Sequence, residues 1–93
     1  MLFHVTHVHT AETCPSDIPA SIKETFGQMF KNADDVGVTL HSVYSNSVNH
    51  TFYMVAETDD MAKLSTIFAP TLKLGTADIV PIQDAKELMA QFS

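Results

Sequence analysis

The stretch Phe52-Tyr53-Met54-Val55-Ala56 constrains this chain most, because it is apolar at every position inside a run from Thr51 to Glu57 whose ends are polar or charged. Side chains on a strand alternate between faces, so a sheet element with one side in water needs a polar residue at every second position. This one has none. Whatever fold forms must cover both faces of the strand.

The neighbouring elements can be read around it. Residues 2 to 10 are rich in Phe, Val and Thr and predict a first strand. Alternation puts Phe3, Val5, His7 and His9 on one face, and Leu2, His4, Thr6 and Val8 on the other. A first helix is expected to start between Cys14 and Asp17, with Ser16 or Asp17 as cap and Pro15 or Pro19 in its first turn. Its inward stripe would be Ile18, Ile22, Phe26, Met29, Phe30 and Ala33, and the run from Asn32 to Gly37 stops it. Val38 to Ser45 predicts a second strand, with Val38, Leu40, Ser42 and Tyr44 opposed to Thr39, His41 and Val43. The turn at Asn46 to Asn49 joins it to the apolar strand as a hairpin. A second helix, capped by Asp59, carries Met61, Leu64, Phe68 and Leu72. Pro70 is expected to kink or break it, and Gly75 to close it. Ala77 to Ile82 predicts the last strand, placed at an edge because Pro81 cannot donate to a ladder. Asp84 and Glu87 resemble a capping box opening a short final helix with Leu88, Met89 and Phe92.

The order β-α-β-β-α-β-α over residues 1–93, read as a single domain, resembles the ferredoxin-like split βαβ arrangement. This α+β fold class implies a four-stranded antiparallel sheet, with the first strand central between the third and the fourth. Helices would cover one face. The other would carry His4, Thr6, His41, Val43, Tyr53 and Val55, and a second copy packing sheet to sheet is the simplest cover. In length, order and two-sided strands the chain is similar to the dimeric α/β-barrel group. That group includes cofactor-free monooxygenases, muconolactone-isomerase-like enzymes, haem-degrading enzymes and small metal-binding proteins. The resemblance implies a homodimer and assigns no residue a role.

Charge narrows the partners. A formal charge of −6 arises from eleven acidic residues against five lysines, with no arginine. Nucleic acids and anionic membranes are therefore set aside. No apolar run reaches the length of a bilayer span and no secretory pattern opens the sequence, so the expectation is a cytoplasmic protein without membrane attachment. The lone Cys14 supports no internal disulfide, and Asn49-His50-Thr51 reads as a chance sequon.

The chemistry concentrates in Phe3 to Pro15, which holds three of the five histidines and the only cysteine. His7 and His9 share a strand face, and Cys14 lies where the chain leaves that strand for a helix, whose N-terminus favours a thiolate. Two imidazoles and a thiolate suit zinc, copper or nickel. His50 opens the third strand, antiparallel beside the first, and falls near the same end. His7, His9, Cys14 and His50 are thus the candidate metal ligands. A bland reading stands beside this one: histidine tolerates half-burial on strands, cysteine packs as a small hydrophobe, and H-x-H with a Cys five residues later is no established zinc spacing.

Two other functions remain open. His4, His41 and Tyr53 on the opposite face are candidate catalytic groups for a cofactor-independent monooxygenase or isomerase acting on a small organic molecule. Alternatively the domain serves only structure or protein interaction, with every histidine ordinary. Nucleotide loops are absent, and Asp34-Asp35 and Asp59-Asp60 lack calcium-loop spacing.

Overall fold

The computed structural model describes residues 1–15 and 18–92. The elements are β1 (Leu2–His9), α1 (Pro19–Ile22), a π-helical turn (Lys23–Gly27), α2 (Gln28–Val36), β2 (Thr39–Asn46), β3 (Thr51–Glu57), α3 (Ala62–Leu72), β4 (Gly75–Ile82) and α4 (Ala85–Ala90). The strands form one antiparallel sheet in the order β2-β3-β1-β4. This is the ferredoxin-like arrangement, with β1 central and Pro81 on the edge strand.

Alternation along β1 holds as expected. Phe3, Val5, His7 and His9 are buried under the helices, whereas Val8 faces outward. Met54 and Ala56 of β3 join Phe3 and Val5 in a core closed by Phe26, Met29 and Ala33 on one side and Leu64, Ile67 and Phe68 on the other. Burial of these side chains, each worth about 1.5–3 kcal/mol for the larger ones, is the main force seating the helices on the sheet.

The first helical stretch departs from expectation. The α-helix begins at Pro19, and the caps expected at Ser16 or Asp17 fall outside the described residues. Ile18 and Phe30 are exposed, while Thr25 is buried beside Phe26. Ile18 precedes the helix, and the π turn accounts for Phe30, since its i→i+5 bonding adds a residue to the turn and rotates the buried face away from a strict 3.6-residue stripe. Thr25 fits there because its hydroxyl donates to the Ser21 carbonyl at 2.7 Å. Gly37 ends α2 as predicted, at φ 77°, a conformation that favours glycine.

In β2 the pairing register shifts between Leu40 and Ser42. The bulge at His41 reverses the alternation after it, so Val43 packs against the core and Ser42 and Tyr44 turn to the open face. Val43 therefore does not belong to that face.

Three expectations about α3 and β4 are also corrected. Asp60, not Asp59, holds the helix start: its carboxylate accepts from the Ala62 amide at 3.0 Å, and the Thr58 hydroxyl accepts from the Asp60 amide. Pro70 lies inside α3, which continues to Leu72. The amide that proline lacks would have met the Thr66 carbonyl; the Asn32 side chain donates to that oxygen instead, at 3.5 Å. Gly75 opens β4 rather than closing the helix. It stands opposite His9, and a Cβ there would overlap the Val8 carbonyl and lie 2.9 Å from the His9 Cα.

The open face carries His4, Thr6, Tyr44, Tyr53, Val55 and Val80. Asp84 caps α4 by accepting from the Lys86 and Glu87 amides, yet the helix buries nothing and leaves Met89 and Phe92 exposed. Among the described residues, no helix is long and apolar enough to cross a membrane.

Candidate functional site

The end of β1 bearing His9 is shaped by two turns. After His9 the chain reverses through Thr10–Thr13, where the Thr10 amide donates to the Thr13 hydroxyl at 3.0 Å and the Thr13 amide donates back to the Thr10 hydroxyl at 3.3 Å. That reciprocal pair folds Cys14 back toward the strand it has just left. On the other side, the Asn46 side chain accepts from the Val48 and Asn49 amides and tightens the hairpin turn. The turn ends at His50, held at φ 55°, and its carbonyl accepts from the His9 amide at 3.1 Å. Both turns are local, and both deliver a side chain to His9.

The result is a cluster. One donor atom from each of His9, Cys14 and His50 lies within 4.8 Å of the others. The His9 and His50 rings meet edge to face with centroids 5.3 Å apart. Nδ1 of each is buried and has no hydrogen-bond partner among the described residues. Burial, with the His7 and His50 imidazoles nearby, holds the His9 ring below its ordinary pKa, so it is neutral and carries a lone pair at neutral pH. Bonds of about 2.0–2.1 Å to nitrogen and 2.3 Å to sulfur at tetrahedral angles place donors roughly 3.3–3.6 Å apart. Closing around an ion therefore takes about an ångström of movement, within the range of side-chain rotation.

His7 stands outside this cluster. Its Nε2–H donates to the Thr71 carbonyl at 2.9 Å, which fixes the tautomer and anchors the end of α3 to the sheet. The ring is fully buried, edge-on to Phe26. Cys14 precedes Pro19, the first residue of α1, by five positions.

A cavity of about 290 Å³ opens beside the cluster, walled by Pro15, Ile22, Phe26 and Phe52. Phe26 and Phe52 stack with centroids 4.1 Å apart. Sequence reasoning placed Phe26 in an inward helix stripe and Phe52 in a strand covered on both faces, and set neither beside the site. Phe52 does follow His50 at the alternation that points it to the same face, and that was the available signal.

On the opposite face, His41 is set in different surroundings from His4 and Tyr53. The His41 Nε2–H donates to the Glu57 carboxylate at 2.5 Å, an exposed pair that holds Glu57 below its ordinary pKa. It borders a wide open hollow with Leu2, Val55 and Ile82, whereas His4 and Tyr53 do not line that space.

No curated protein matches the chain. A family model described as a domain of unknown function, DUF3303, matches residues 1–93, so the chain belongs to that family along its whole length.

Proposed function

We propose that this protein is a small homodimer that holds one transition-metal ion per protomer between His9, Cys14 and His50. The observation carrying the reading is three convergent donors, two of them imidazoles that each keep a buried nitrogen without a partner. An unsatisfied buried polar atom costs about 1–3 kcal/mol, and an ion at the centre of the cluster offers these rings a use for their lone pairs. Two nitrogens and one sulfur form a borderline-to-soft set. It favours zinc, copper or nickel and disfavours magnesium and calcium, which prefer oxygen.

The dimer is supported by what is left uncovered. Tyr44, Tyr53 and Val80 are exposed on the open sheet face. The radius of gyration of 14.4 Å exceeds the roughly 12 Å expected for a compact chain of this length. A second sheet packed on the first would cover the apolar face of β3 that faces away from the helices.

The test uses untagged protein equilibrated with zinc, copper or nickel and then desalted. One equivalent should remain, with a raised melting temperature. His9→Ala and Cys14→Ser should each abolish both effects. Absence of stoichiometric metal together with an unchanged melting temperature overturns the metal assignment. Sedimentation at the mass of one protomer at all concentrations overturns the dimer.

A further inference from the structure

The three donors leave one position of a tetrahedral ion open, and the adjoining cavity determines what can occupy it. Its walls are the hydrocarbon surfaces of Pro15, Ile22, Phe26 and Phe52, while Ser45, Asn46 and Ser47 line it from the hairpin. No charged side chain is present among its described lining residues. A volume of about 290 Å³ is at the small end of ligand sites.

Charge selects among small ligands. A divalent ion with one thiolate and two neutral imidazoles keeps one net positive charge. A monoanionic donor makes the assembly neutral, the state that an apolar enclosure stabilises best. A phosphate dianion would leave a negative charge with no lysine or arginine beside it, in a protein already at −6. The walls reward an apolar body behind the donor atom, since each buried CH₂ contributes about 0.8 kcal/mol, or nearly fourfold in affinity.

We propose that this site takes a small monocarboxylate with an apolar tail. One carboxylate oxygen coordinates the ion in place of water, and the tail lies against Ile22, Phe26 and Phe52. The assignment rests on the metal reading above, and the experiment separates the two.

The untagged full-length chain is loaded with cobalt(II), whose visible spectrum reports thiolate coordination and coordination number. It is then titrated with hexanoate, acetate and inorganic phosphate. Wild type should show a cobalt–thiolate band that Cys14→Ser lacks. Hexanoate should perturb the ligand-field bands with a Kd at least tenfold below that of acetate, and phosphate should leave them unchanged. Ile22→Ala shortens a half-exposed wall residue and should weaken hexanoate about threefold or more while preserving the cobalt spectrum. Failure to form the cobalt–thiolate band overturns the metal reading and this inference with it. A normal band with equal binding of acetate and hexanoate, with tight phosphate binding, or with no hexanoate response overturns this inference alone. So does hexanoate binding of equal strength to metal-free protein.

Discussion

His7 and His9 sit two residues apart on one strand, face the same side of the sheet and are both buried, yet they do opposite things. His7 meets the carbonyl of Thr71 near the end of α3, so its N–H is consumed in holding helix to sheet. His9 also lies near Phe26, but two turns converge on it and bring it Cys14 and His50. Residue type, burial and strand register are shared. What separates a structural imidazole from a candidate ligand is what converges on it. A backbone acceptor fixes one ring; convergent side chains leave the other available.

The comparison can be broken at its common frame. Gly75→Ala should have the largest effect, because the added methyl would overlap the Val8 carbonyl and push β4 from β1 opposite His9. A loss of about 4 kcal/mol is expected in denaturant unfolding, with weakened metal retention alongside it. His7→Ala should separate stability from binding. It removes a buried ring and its bond to the Thr71 carbonyl, which keeps the Leu74 amide as donor, a cost of about 3 kcal/mol, while metal affinity measured by competition titration stays within about threefold of wild type. Cys14→Ser should do the converse. Metal affinity should fall by about two orders of magnitude, equivalent to roughly 2.8 kcal/mol, with little change in the unfolding of the metal-free protein. Equal metal loss from His7→Ala and Cys14→Ser would erase the distinction between the two histidines.

The smallest effect concerns protons. His9 has a folded pKa below its ordinary value of 6.5, chiefly through burial. Its contribution to stability is therefore fully present above 6.5. It is lost as pH falls from there toward the depressed folded value, because the unfolded chain takes up the proton first. Metal-free wild type should lose stability across that window more steeply than His9→Gln. Parallel pH profiles would show that His9 titrates as it does in the unfolded chain.

The comparison also marks how far the amino-acid sequence could be read. Strand alternation sorted the three histidines of β1 correctly, and antiparallel pairing placed His9, Cys14 and His50, together with His7, toward one end of the sheet. Pro81 identified the edge, and Asp84 identified the last cap. What could not be read depends on partners remote in the chain or on local backbone irregularity. The His7 acceptor is 64 residues away, and no pattern within β1 distinguishes His7 from His9. The bulge at His41 inverts the faces of β2 after it. Pro70 does not end α3, and Asn32, on another helix, donates to the carbonyl that proline leaves without an amide. The chain reversal at Thr10–Thr13 rests on paired hydroxyl and amide bonds that neither glycine nor proline announces.

His50 carries a further consequence. At φ 55° it occupies left-handed backbone, where a side chain costs about 1 kcal/mol or more relative to glycine. Stability alone would place glycine or asparagine at that turn. An imidazole there sets foldability against chemistry at a single residue. The expected signature is a His50→Gly chain that folds at least as well as the original and holds an ion more weakly, with only His9 and Cys14 of the three donors left.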